Sequence, residues 1–158
     1  AQLARLADLP RLSALGVRAS VQPSHLLDDR DATERLWPGR GGRCFALRSM
    51  LDAGVELAFG SDAPVAPLDP WLAMAAAVHR SADHRPGWHA EQSLTALDAL
   101  AASVDGARNV EQAGGDFVLL ADDPLREVGE AAETAAHLHS MNTQVLTTYV
   151  AGEVAHSR

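Results

Sequence analysis

The sequence predicts a parallel α/β fold, and three observations predict it. Helix-like and strand-like segments alternate through the first eighty residues. The two candidate strands, 17–22 and 55–59, both run into loops rich in Gly, Pro, Ser, His and Asp. With 158 residues and a hydrophobic fraction of 47%, the chain can bury a core of ordinary size, built mainly from Ala and Leu.

Leu3, Leu6, Leu9, Leu12 and Leu15 recur every third residue, which reads as a helical stripe stopped by Gly16. Pro10 falls inside it and marks a break or a second helix start. Val17 to Gln22 is short and partly β-branched, a strand ending at Pro23-Ser24-His25. Residues 28–43 read as a polar loop, punctuated by Trp37-Pro38-Gly39 and Gly41-Gly42. Cys44 to Asp52 reads as a helix closed by Ala53-Gly54. Val55 to Phe59 then reads as a strand ending at Gly60-Ser61-Asp62. Asp69-Pro70 has the form of an N-cap followed by proline at the first helical position, with a helix running to His79.

After a polar loop over 81–93, Leu94 to Val104 reads as a helix capped by Ser93 or Thr95. Asp116 to Leu120 and Gln144 to Val150 read as strands. Ala151-Gly152 is a hairpin signal leading into Glu153-Val154. No long helix is expected between these late strands, which read as a small β structure apart from the first part. The parallel alternation gives the strand ends a meaning: in a (β/α)8 barrel, chemistry sits at the C-terminal ends of the strands.

Charge and cysteine content narrow the function. The formal net charge of −8 argues against general nucleic-acid binding, which needs a basic face, and no polybasic membrane patch is present. The single cysteine, Cys44, excludes an intramolecular disulfide and a cysteine-rich zinc site, and a cytoplasmic protein is expected. No apolar stretch is long enough to span a bilayer. The start, Ala1-Gln2-Leu3-Ala4-Arg5, has neither an initiator methionine nor signal-peptide character, so the expectation is a chain that begins inside something longer.

Asp62 is the first candidate for chemistry. It follows an apolar strand after two small residues, so its carboxylate would project into a barrel mouth, where it could ligate a metal and take a proton from water. The same tripeptide also reads as an ordinary turn with Asp62 as a helix cap. His25, in the run Gln22-Pro23-Ser24-His25, would share that rim and could bind a substrate carbonyl; a loop histidine bonded to backbone is the other reading. His137-Leu138-His139 would place both rings on one face of a strand, a zinc-ligand arrangement, although its position favours solvent-facing histidines. His79, His84 and His89 read as surface residues around a loop, Cys44 as a small buried residue, and Asp122-Asp123-Pro124 as a turn.

Four runs together resemble a known family. They are Ala19-Ser20-Val21-Gln22-Pro23-Ser24-His25, Leu51-Asp52-Ala53-Gly54-Val55, Gly60-Ser61-Asp62-Ala63-Pro64-Val65 and Leu68-Asp69-Pro70. Their order and spacing resemble the amidohydrolase superfamily, in the branch of amidohydrolase family 3 that includes N-substituted formamide deformylases. Residues 115–125 resemble that family's tail strand, and 145–154 its closing hairpin.

The resemblance implies the C-terminal part of a metal-dependent hydrolase TIM barrel over residues 1–104. Residues 105–158 would be a tail contributing strands to a small β-sandwich. It implies that Asp62 is the eighth-strand aspartate, a metal ligand and proton shuttle, and that His25 is the seventh-strand histidine at the substrate. It further implies a divalent metal, expected to be zinc, most of whose ligands this chain lacks: the family's His-x-His pair and its other metal histidines precede the part matched here. The Ala1-Gln2 start resembles the continuation of the family's Glu-His-Ala-Gln motif, and the lead from Val104 to Gly115 is shorter and more polar than the family's.

The expected activity is hydrolysis of a non-peptide C–N bond in a small amide or imide. A catalytically inactive fragment, or a non-enzymatic binding or oligomerisation module, is the alternative. A small-molecule substrate is expected, with no nucleic-acid or membrane partner. Self-association into a homo-oligomer is expected as well, because an incomplete barrel exposes strand edges and apolar helix faces.

Overall fold

A computed structural model describes residues 2–104, 114–126 and 128–158. Ala1 and the lead over 105–113, with the expected boundary at residue 105, lie outside the described residues.

Strand β1 (Ala19–Val21) pairs in parallel with β2 (Leu57–Phe59), in the register Ala19 to Leu57, Ser20 to Ala58 and Val21 to Phe59. The period of two splits this small sheet into unlike faces. Ala19, Val21 and Leu57 are buried, and Phe59 packs against the same core. Ser20 and Ala58 point the other way, and Ser20 is exposed.

The buried face rests on helices. Helix α4 (Pro70–His79) is apolar nearly all round and buries Trp71, Met74, Ala77 and Val78, as a helix enclosed on most sides must. Asp69 caps it, accepting from the Leu72 amide at 3.0 Å, with Pro70 in the first turn. Helix α5 (Ala96–Ser103) begins at a capping box between Thr95 and Asp98. Helices α1 (Leu9–Ala14) and α3 (Leu47–Asp52) complete the layer with Leu9, Leu47 and Met50.

Strands β3 (Phe117–Leu120), β4 (Val145–Val150) and β5 (Glu153–Ser157) form a separate antiparallel sheet, with Phe117 stacked on Tyr149 at 4.3 Å. The β4–β5 turn has positive φ at Ala151 (52°) and Gly152 (81°), the backbone that matches strand twist in a two-residue hairpin. The fold is therefore mixed α/β, with one parallel pair and one antiparallel sheet.

Several expectations are corrected. Residues 28–36 are not loop: they belong to α2 (His25–Leu36), whose only buried residues are Leu26 and Thr33. A helix that buries so little carries no apolar stripe to read, and the loop begins only at Trp37-Pro38-Gly39. The late strands do have a helix between them, α6 (Ala131–Ser140), which packs extensively on α4. Its buried residues are Ala135, His137 and Leu138, a weak signal against a β-rich neighbourhood. The leucine stripe is not one helix either. A 3₁₀ turn over Leu6–Asp8 precedes α1, Leu9 alone of the five is fully buried, and Leu3 bridges to Cys44. Proline at the start of α1 explains the division. The helix after Cys44 starts later than expected, at Leu47.

Helices α3 and α5 are tied by charge. Arg48 Nη2 lies 2.6 Å from Asp98 Oδ2, and Thr95 Oγ1 donates to the same oxygen at 2.8 Å. Partial burial pushes the Asp98 carboxyl up, but the Arg48 and Thr95 hydrogen bonds outweigh it and hold the group below its ordinary range. A carboxyl depressed in the folded state stabilises fully above its unfolded pKa and loses that contribution as pH falls through the folded value. Asp98→Asn is therefore expected to cost about 1 kcal/mol at pH 7, discounted for solvent screening. That difference should shrink as pH falls through the acidic range, as checked by urea unfolding at pH 7 and in acid.

Among the described residues, no helix is long and apolar enough to cross a membrane.

Candidate functional site

The two parallel strands end side by side, and the candidate residues gather there. Gly60 N–H donates to Val21 O at 3.0 Å, carrying the ladder one step past β2. The chain after β1 then reaches Pro23, which has no N–H with which to continue the pairing. It turns into α2, with the His25 amide donating to Gln22 O at 3.2 Å. The half-buried His25 imidazole reaches across to the other strand end, its Nε2 3.3 Å from Ser61 O. A carbonyl oxygen only accepts, so Nε2 carries the proton in this contact.

Asp62 comes next along the chain at φ 57°, a left-handed conformation that Asp tolerates better than most residues. Its carbonyl accepts from the Val65 amide at 2.9 Å, so it opens a tight turn. It caps no helix; Asp69 does that for α4. The Asp62 carboxylate is exposed and takes no hydrogen bond among the described residues. An open carboxylate and an oriented imidazole thus stand one residue apart across the rim. Beside them, towards the helices, lies a cavity of about 260 Å³ lined by Phe59, Ser61, Leu68, Pro70, Ala73 and Ser103, among others.

The other candidates lie elsewhere. His137 and His139 are on α6, not on a strand, and two positions apart on a helix face in different directions. His137 is buried and fully engaged, with Nε2 donating to Asp123 O at 2.8 Å and Nδ1 accepting from Arg126 Nη2 at 3.2 Å, while His139 is exposed. Asp122 and Asp123 form a turn: Asp123 accepts from the Leu125 amide at 2.8 Å, and Asp122 pairs with Arg126 at 3.1 Å. Cys44 is buried, and that burial pushes its thiol up, the opposite of activation. His84 is exposed; His89 lies against Glu91 at 2.9 Å and Glu34 at 3.7 Å.

Among the described residues, no group of three or more His, Cys, Asp or Glu is placed to hold a metal ion. The open Asp62 carboxylate suits one ligand position of a divalent ion, and a complete coordination sphere needs more donors than this rim provides.

One buried residue gave no signal in the sequence beyond a lone arginine after an apolar helix. Arg80 is fully buried in the left-handed position that ends α4 (φ 60°). Its Nε donates to Trp88 O at 2.7 Å and its Nη1 to Phe45 O at 3.0 Å. Burial lowers its pKa to about 10, against the opposing pull of Glu91 and Cys44.

Comparison with known proteins converges on one group. The sequence profile of the amidohydrolase family matches residues 1–156. The chain is 25% identical over 165 residues to the amidohydrolase-class protein YtcJ of Bacillus subtilis (strain 168), covering 95% of this chain and 30% of that protein. It is 31% identical over 159 residues to LONG AFTER FAR-RED 3 of Arabidopsis thaliana, covering 90% of this chain and 25% of that one. The crystal structure of an uncharacterized metal-dependent hydrolase from Pyrococcus horikoshii OT3 superposes with a TM-score of 0.57 at 33% identity, over 65% of this chain and 21% of the other. The chain thus spans between a quarter and a third of the length of these curated relatives.

Proposed function

The chain belongs to the amidohydrolase family, and from that premise we propose that it is the C-terminal portion of a metal-dependent hydrolase that cleaves a non-peptide C–N bond in a small amide or imide. In this reading β1 and β2 are the last two strands of a (β/α)8 barrel, and β3–β5 contribute to a β-sandwich. The observation that carries it is the strand-end pair: Asp62, open at the end of β2, linked through Ser61 to His25 beyond the end of β1.

Asp62 would be one ligand of a divalent ion, zinc in this proposal. The ion's histidine ligands would come from the parts of the relatives' length that this chain does not span. The metal, when bound, acidifies a water molecule and polarises the scissile carbonyl. Asp62 accepts the attacking water's proton and returns it to the departing nitrogen, so that amide and water become acid and amine. His25 orients the substrate at the same rim. The small side chains of Ser20 and Ala58, on the face turned away from the helices, support the barrel reading, because they leave room for a sheet closed by further strands.

The experiment is metal depletion. The full-length protein is expected to hydrolyse at least one member of a panel of small N-substituted amides and imides. Exhaustive chelation should lower that rate by at least about 100-fold, with recovery on adding zinc. An undiminished rate without metal would overturn the proposal. The inactive, self-associating alternative draws on the exposed apolar side chains of the antiparallel sheet, Phe117, Val118, Leu119 and Val154. It predicts no turnover in any arm of the same experiment.

A further inference from the structure

We infer that His25 is a positioning residue for Asp62, acting through the Ser61 carbonyl; this rests on the reading of Asp62 given above. The parallel ladder between β1 and β2 runs out at Gly60, because the next donor on the neighbouring strand would be Pro23, which has none. Beyond Gly60 the β2 side continues into Ser61 and then Asp62, the latter in a left-handed conformation. Asp tolerates that conformation at a small cost, which fixed surroundings offset. Two bonds bracket the position: Val65 N–H to Asp62 O at 2.9 Å on one side, and His25 Nε2 to Ser61 O at 3.3 Å on the other. One residue beyond the end of the ladder, the imidazole adds a further cross-strand bond, made by a side chain to Ser61 O.

His25 is itself well anchored. It is the first residue of α2, its amide is bonded to Gln22 O, and its neighbour Leu26 is fully buried. The donor comes from a fixed point on one strand end to the residue that precedes the carboxylate on the other. This use of Nε2 leaves Nδ1 as the ring edge open to a substrate role. The role as turn-holder needs no substrate and no metal, so it can be read in the metal-free protein.

The test uses full-length protein labelled with [¹⁵N]histidine, together with His25→Ala and His25→Gln. Glutamine keeps an N–H donor near the Nε2 position. The His25 ring nitrogens are expected to show the Nε2–H tautomer. In His25→Ala, hydrogen exchange at the Val65 amide should speed up about tenfold, as for loss of one net hydrogen bond. The Gly60 amide, bonded to Val21, should be unchanged, and His25→Gln should restore most of the protection at Val65. An Nδ1–H tautomer, unchanged exchange in His25→Ala, or no recovery in His25→Gln would each overturn the inference. Failure of the underlying reading looks different: Asp62→Asn would keep its hydrolytic rate, whatever the exchange data show.

Discussion

Asp62→Asn is expected to lower turnover of an accepted amide by about 10²–10⁴-fold, the usual contribution of a positioned acid–base group, while leaving the fold unchanged. Asparagine has the same shape and, like aspartate, tolerates a left-handed backbone, so the φ of 57° at this position is retained. It also keeps an oxygen that could approach a cation. What it cannot do is take a proton from water and pass it on. Alanine would be the less informative change, because it adds a backbone penalty of about 1 kcal/mol at a left-handed position. The measurement is kcat for the asparagine variant beside its melting temperature and metal content. Wild-type kcat in a folded, metal-loaded variant would remove Asp62 from the chemistry.

Arg80→Ala is expected to destabilise the fold by about 3–5 kcal/mol, from the cavity left by a long buried side chain and the loss of its bonds to two carbonyls, of which Phe45 O keeps the Leu47 amide. Arg80 joins three stretches that are far apart in sequence: the end of α4, the loop carrying Trp88, and the segment at Phe45. Those residues line a second small core with Leu26 and Cys44, so loosening Arg80 loosens the support of α2. The charge is costly to hold there, which the lowered pKa of about 10 expresses. A base whose folded pKa lies below its unfolded value binds fewer protons when folded in the window between them. The wild-type penalty is therefore constant at neutral pH and relieved as pH rises above about 10. Urea unfolding at pH 7 checks the main effect. A loss under about 1 kcal/mol would mean that the two carbonyl contacts add little to stability.

Much of the fold was legible where burial and local chemistry agree. The two parallel strands carry alternating or continuous apolar residues between turn signals. Helix α4 announces itself by Asp69-Pro70 and an unbroken apolar run, and α5 by Thr95 with Asp98 three residues on. The hairpin at Ala151-Gly152 is legible in its turn residues. What escaped was structure held by something other than an apolar stripe. Helix α2 is fastened through polar contacts, such as Trp88 Nε1 to Glu34 at 2.7 Å and Arg30 to Pro86 O at 3.1 Å, which link residues more than fifty positions apart. Helix α6 buries only Ala135, His137 and Leu138, too few apolar positions to read as a stripe, and alanine alone distinguishes poorly between a packed face and an exposed one. At the site, Asp62 and His25 could be singled out from their strand ends. Their connection could not, because it runs through the main-chain carbonyl of Ser61, which any residue would supply.

The open face of the β1–β2 pair has a consequence for molecular shape. Its side chains at Ser20 and Ala58 hold two heavy atoms and one, respectively, beyond Cα. Protein interiors are packed to a density of about 0.74, so most of the atoms that fill the volume over Ser20 and Ala58 come from elsewhere, the Gln22 side chain that reaches Ser20 at 3.4 Å among them. Under the proposed function, this stretch fixes where a bond is attacked, while the contour a substrate must match is moulded by other parts of the protein. A bulkier residue at 20 or 58 is the change by which this stretch itself would redraw that contour.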